Sequence, residues 1–188
     1  MLERTSDLLY SISKGWLALA ALAVFAVFIG VILSGQAAQA ETYSAEAGSP
    51  DTSFFYTPAD LYRMAEAYGA EGRSAYIRAR LTFDVVWPLA YLFFLGTAVS
   101  WALTRALPAG NRWRLLNLFP LAGVVFDYLE NLSAALVMGR YPDPTPFVDV
   151  MTPVFTALKW FFVNGSFVIL LAGLVWAGWR WLRRRSAG

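Results

Sequence analysis

Apolar residues in this 188-residue chain fall into four long runs, and the polar residues collect between them. A helix needs about 20 apolar residues to cross the hydrocarbon of a bilayer. The runs Trp16 to Leu33, about Leu81 to Leu103, about Leu115 to Met138 and about Pro153 to Trp179 approach or exceed that length. The pattern predicts an all-α polytopic membrane protein: a four-transmembrane-helix bundle forming a single membrane domain over residues 1–188. The first run follows basic residues and precedes Ala38-Gln39-Ala40, so it also has the outline of a cleaved signal peptide. It is longer than a usual signal-peptide core, and a retained helix is the expectation. Ala26, Gly30 and Ser34 form a small-residue stripe along it, and Gly96 and Ser100 form another on the second run; such stripes suit close helix packing in lipid.

Between the first two runs lies the one sizeable polar connection, about residues 34–80, expected to form an extracytoplasmic cap. Gln36, Ala37, Gly48, Ser49 and Pro50 make its first part loop-like. Thr57-Pro58-Ala59-Asp60 is then a helix start, with Thr at the N-cap, Pro at the first helical position and Asp near the positive end of the dipole. The short interfacial helix that follows should end near Tyr68-Gly69. Leu61, Met64, Ala65 and Tyr68 share one of its faces, away from Asp60, Arg63 and Glu66. Phe54, Phe55, Tyr56, Tyr62 and Tyr76 suit an aromatic belt at the headgroups. A cap is the structural reading of this segment, and a lid over a site is the functional one.

Composition agrees with a bilayer: hydrophobic residues are 58% and charged residues 15% of the chain, and mean hydropathy is +0.50, where soluble domains carry roughly a quarter charged residues. With neither Cys nor His, disulfides, thiolate nucleophiles, His-ligated metals and Ser-His relays are all excluded. The pI near 9.0 reflects basic residues at the ends of apolar runs rather than a nucleic-acid surface. Arg4, Lys14, Arg105, Arg112, Arg114, Arg180, Arg183, Arg184 and Arg185 fall on one side, against Glu3 and Asp7. The other side holds Glu41, Glu46, Asp51, Asp60, Glu66, Glu71, Asp143 and Asp149 against Arg63, Arg73, Arg78, Arg80 and Arg140. By the positive-inside rule both termini are cytoplasmic, in an inner (cell) membrane.

The third run breaks the apolar pattern where breaking it is expensive. Gly123, Asp127, Glu130, Asn131 and Ala134 follow helical spacing and share one face, which should look into the bundle. At about 1.5 Å of rise per residue, Asp127 sits near mid-membrane and Glu130 and Asn131 about one turn nearer the outside. The fourth run enters from the outside, so Lys159 reaches the depth of Glu130 and Asn164 that of Asp127. Lys159 and Asn164 are five positions apart and point in different directions, so only a bundle that wraps the helix brings both to one cluster. The second run adds Asp84, with Arg80 one turn before it and Pro88 one turn after, which deprives the Asp84 carbonyl of its usual donor. Tyr91, further along, can donate to the cluster or simply pack.

A structural ion network that fixes helix register is the plain account of these charges. Three acids, Asp84, Asp127 and Glu130, nevertheless meet a single clearly intramembrane base, Lys159. At least one acid is therefore expected to hold a proton or a cation, and ionisable residues at this depth are functional by default. The candidate binding residues are Asp84, Asp127, Glu130, Asn131, Lys159 and Asn164. Three function classes follow. The first is transport-like handling of a proton, cation or small solute. The second is a non-catalytic accessory or assembly subunit, as a homo-oligomer or within a larger membrane complex. The third is a lipid-modifying enzyme with Asp127 or Glu130 as general acid or base, or as oxygen ligands of Mg²⁺ or Mn²⁺. No nucleophile motif supports the third, and no cofactor is implied. The expected partners are the lipid bilayer and a proton, cation or lipid, with no nucleic acid.

Overall fold

A computed structural model describes residues 2–44 and 47–186, with the backbone alone at position 37. Glu46, counted above among the outer acids, lies outside the described residues. All regular structure among the described residues is helical. The order is α1 (Leu2–Ile12), α2 (Gly15–Val27), a π-helical stretch (Phe28–Leu33), α3 (Ser34–Ser44), a single 3₁₀ turn (Pro50–Thr52) within an otherwise irregular segment, α4 (Pro58–Leu81), α5 (Phe83–Ala106), a 3₁₀ stretch (Arg112–Leu118), α6 (Phe119–Arg140) and α7 (Val148–Ser186). Four continuous helical stretches are long and apolar enough to cross a membrane: Gly15–Ser44, Pro58–Ala106, Arg112–Arg140 and Val148–Ser186.

The elements differ from the sequence expectation in three places. The chain after Leu33 does not become a loop: α3 continues to Ser44, because Ala and Gln are good helix formers and the breakers Gly48, Ser49 and Pro50 come only later. The residues before the first apolar run, for which no element is predicted, are helical. They form α1, fastened to the 3₁₀ stretch by Ser6 Oγ donating to Asn117 Oδ1 at 2.8 Å, Asn117 Nδ2 donating to Ser6 O at 3.2 Å, and Tyr10 donating to Arg114 O at 2.6 Å. The third difference is that the helix begun at Pro58 pauses at Gly69 and resumes.

Its start is the one expected. Asp60 N–H donates to Thr57 Oγ1 at 3.2 Å and Thr57 N–H donates to Asp60 Oδ2 at 2.7 Å, a reciprocal cap with Pro58 just inside. At Gly69 the backbone turns to φ 62°, ψ −179°, a region open essentially to glycine alone. Arg73 Nη1 crosses this kink to donate to Ala65 O at 2.8 Å, satisfying a carbonyl that the interrupted helix leaves behind. Gly69→Ala should therefore lower stability by about 1–3 kcal/mol. An unchanged melting temperature in detergent would show that the kink tolerates a side chain.

The chain divides into two compact units. In the unit of Met1–Ala26, Ala90–Ala122 and Phe162–Gly188, Phe25 stacks on Phe94 with centroids 4.9 Å apart, and both rings meet Phe167 at 6.4 Å. Gly173 lies so close to Ala102 that a Cβ there would sit 3.2 Å from the alanine Cβ, the close approach that small residues permit in membrane helices. Gly96 and Ser100 are buried here as well. Ala26, Gly30 and Ser34, by contrast, are exposed; Ala18, Ala21 and Phe25 are the buried residues of α2.

In the unit of Val27–Leu89 and Gly123–Phe161, the face predicted for α4 is buried: Leu61, Met64, Ala65 and Tyr68 pack with Tyr76 against Ala134, Val137 and Met138 of α6. Tyr43, Tyr68 and Tyr76 form a run of rings 5.4 Å and 5.8 Å apart, and Gly72 leaves room for Tyr43. Tyr62 takes a hydrogen bond from Thr145 N–H at 2.8 Å and donates to Asp149 Oδ2 at 3.1 Å. That fixes the turn before α7 to α4.

Candidate functional site

The second unit contains a charged cluster built on α4, α5, α6 and α7. On α6 the face predicted from spacing is buried throughout: Gly123, Asp127, Glu130, Asn131 and Ala134 are all inside, and Glu130 is 0% exposed. Glu130 Oε2 and the Lys159 ammonium of α7 form an ion pair, the pairing that their matched depths allow. Asn131 Nδ2 donates to Asp127 Oδ1 at 2.9 Å, one turn away on the same helix.

Arg80, at the end of α4, is the second cation. Its Nη1 pairs with Asp51, its Nε lies 2.8 Å from Asp84 Oδ2, and its Nη1 reaches Asn131 Oδ1 at 3.5 Å. The guanidinium rests on the Tyr76 ring at 4.6 Å. The contact with Asp84 is an ion contact rather than an aligned hydrogen bond, since neither atom has a hydrogen-bond partner. Asp51 lies in the irregular segment before α4, where Ser49 Oγ donates to its Oδ2 at 3.0 Å. It acts electrostatically on Glu130 and Lys159 as well as on Arg80. Three carboxylates, Asp51, Asp84 and Glu130, thus pair with two cations, Arg80 and Lys159, and Asp127 stands one turn from Asn131 and close to Glu130 on the same helix face.

Around these charges are neutral donors. Thr156 Oγ1 donates to Thr152 O at 3.1 Å, so the hydroxyl of Tyr56, 2.8 Å from Thr156 Oγ1, is the donor of that pair. Burial raises the Tyr56 hydroxyl above the usual phenol range, outweighing the Thr156 bond, and keeps it a neutral donor at physiological pH. Of the buried cluster atoms without a hydrogen-bond partner, Arg80 Nε, Asp84 Oδ2 and Glu130 Oε2 are in ion contacts, and the Tyr76 hydroxyl and Glu130 Oε1 are not. Buried polar atoms are rarely left so, and these last two are open positions for a proton, a water or a polar ligand. At the Pro88 kink Tyr128 donates to Val85 O at 2.8 Å, so the loosened backbone is served from α6 at the carbonyl next to that of Asp84.

Of the residues marked from sequence, Asp84, Asp127, Glu130, Asn131 and Lys159 come together. Asn164 does not join them: it belongs to the other unit and is exposed. Five positions of α-helix turn it about 140° from Lys159. Tyr91 is likewise buried in the other unit. Asp51, Tyr56, Tyr76 and Thr156 were not foreseen as site residues. Asp51 and Tyr56 lie in irregular chain with no periodicity to read, and the helical phase linking Leu61 to Tyr76 is reset at Gly69. Among the described residues no group of three or more acidic side chains is placed to hold a metal ion; the carboxylates are strung along the network, each next to a base or an amide. Comparison with protein-family models, curated proteins and solved structures finds no match.

Proposed function

We propose that this chain is an integral membrane protein whose buried acid cluster, in the outer half of the bilayer, takes up and releases a proton or a small cation. This is transport-like handling across a four-helix bundle. The observation that carries the reading is the excess of carboxylates over cations in a buried network. An ion taken out of water carries a penalty of several kcal/mol unless it is paired, and a proton or cation removes that penalty. Glu130 Oε1, buried and unpartnered, is the natural receiving atom for a proton, and the Tyr76 hydroxyl oxygen can join it in holding a cation. Carboxylates spread along a network favour a proton, which needs one oxygen, over a metal cation, which needs about six. Asp51 and Tyr56 bring the segment before α4 onto this network, so that segment can act as a lid.

The orientation belongs to the same proposal. Both termini face the cytoplasm and Glu41 to Arg78 face outward, on the strength of the arginines at the ends of the apolar runs. Reporter fusions at Gly110 and at the C terminus should both read cytoplasmic; an external C terminus breaks the scheme. For the activity itself, vesicles holding the purified protein and a pH-sensitive dye should pass protons down an imposed gradient faster than empty vesicles. Glu130→Gln should abolish the difference. Leakage equal to empty vesicles under proton, Na⁺ and K⁺ gradients would transfer the protein to the accessory-subunit class. One observation favours that second reading: the exposed stripe Ala26, Gly30 and Ser34 is free to receive a helix of another chain.

A further inference from the structure

The end of α7 reads Trp179-Arg180-Trp181-Leu182-Arg183-Arg184-Arg185. Basic residues there offset the helix dipole and set orientation, but neither role requires a cavity. Two open grooves of about 530 Å³ and about 480 Å³ lie against this end of the helix. Both share Leu107 and Pro108, from the turn after α5, and both are walled by Arg180 and Arg184, which stand one helical turn apart. Arg180 Nη1 donates to Ala106 O at 2.7 Å, which fixes the helix against that turn. The Arg183 guanidinium lies over the Trp179 ring at 3.9 Å. Among the described residues none of these arginines pairs with a carboxylate.

Arginine forks without acidic partners match the paired oxygens of a phosphate. The tryptophans beside them, Trp179 in one groove and Trp181 in the other, are exposed, as interfacial rings are at headgroup level. A basic groove between membrane helices is the usual setting for an anionic lipid head. We propose that the two grooves each seat the phosphate-bearing headgroup of an anionic phospholipid from the leaflet at this end, with Arg184 reaching the phosphate in either groove. This proposal is independent of the acid cluster, which involves other residues.

The test is native mass spectrometry of the full-length protein in detergent, titrated with phosphatidylglycerol or with phosphatidylcholine of the same acyl chains. The parent should bind phosphatidylglycerol more tightly than phosphatidylcholine, up to two molecules per chain. Arg184→Gln should weaken that preference about fivefold, while Arg140→Gln should leave it alone. Arg183→Gln serves as a second variant should Arg184→Gln fold poorly. Equal binding of the two lipids, or an Arg184→Gln protein with the parent's preference, would overturn the proposal. Displacement of the lipid by millimolar inorganic phosphate would overturn the lipid source and assign the grooves to free phosphate.

Discussion

Lys159→Met is expected to destabilise the folded protein by about 3–5 kcal/mol, because removing one partner of a buried ion pair strands the other's charge. Glu130 is fully buried and Lys159 is its ion-pair partner. Glu130→Gln together with Lys159→Met removes both charges and should lose less than Lys159→Met alone. A double-mutant cycle on melting in detergent measures the coupling. Additive losses would mean that the two groups do not interact, and Lys159 would then be free to snorkel toward the headgroups.

Arg80→Gln should be comparably severe, again about 3–5 kcal/mol, since one guanidinium serves both Asp51 and Asp84. It carries a local signature that a general loss of stability does not. Asp51 and Tyr56 are the polar attachments of the segment before α4 to the cluster. With Arg80 gone, residues 47–57 should be cleaved faster by added protease under conditions where the helices stay folded. Asp51→Asn in the Arg80→Gln background should restore part of the stability by removing one stranded charge. A segment as resistant as in the parent would show that Asp51 does not hold it.

What could be read from sequence followed from regular spacing. The buried face of α6 is a 3.6-residue pattern, so spacing alone turns Gly123, Asp127, Glu130, Asn131 and Ala134 inward, and they are inside. The Glu130 to Lys159 pairing followed from rise per residue in two antiparallel runs, and the cap at Thr57 from local chemistry. What escaped had no periodicity. Asp51 sits in a loop, so nothing in its neighbours tells an acid that enters the network from one that faces water. Tyr76 is carried inward by a phase change at Gly69 whose size depends on one backbone conformation. In α3, Gln36 and Gln39 look polar enough for a loop yet form helix readily, and hydropathy alone cannot separate the end of an apolar run from the end of a helix. Asn164 shows the converse limit: equal depth is not equal direction.

The central claim is that the cluster exchanges protons or cations, and melting of the purified protein against pH and added cation tests it most directly. Carboxylates in excess of cations in the folded cluster are relieved by protons that the unfolded chain does not bind at the same pH. Stability should therefore rise as pH falls from about 8 to about 5, since the folded state binds more protons over that range. At pH 8, Na⁺, Ca²⁺ or Mg²⁺ should substitute in part and raise the melting temperature to a degree that ranks the cations. Asp127→Asn keeps the shape and its amide neighbour Asn131 while removing one of the acids, so it should fold and show a flattened response to both. If the parent gains no stability as pH falls and none from any of the three cations, the cluster exchanges no ion and the account is contradicted; an Asp127→Asn protein that responds as the parent does would remove Asp127 from the exchanging groups.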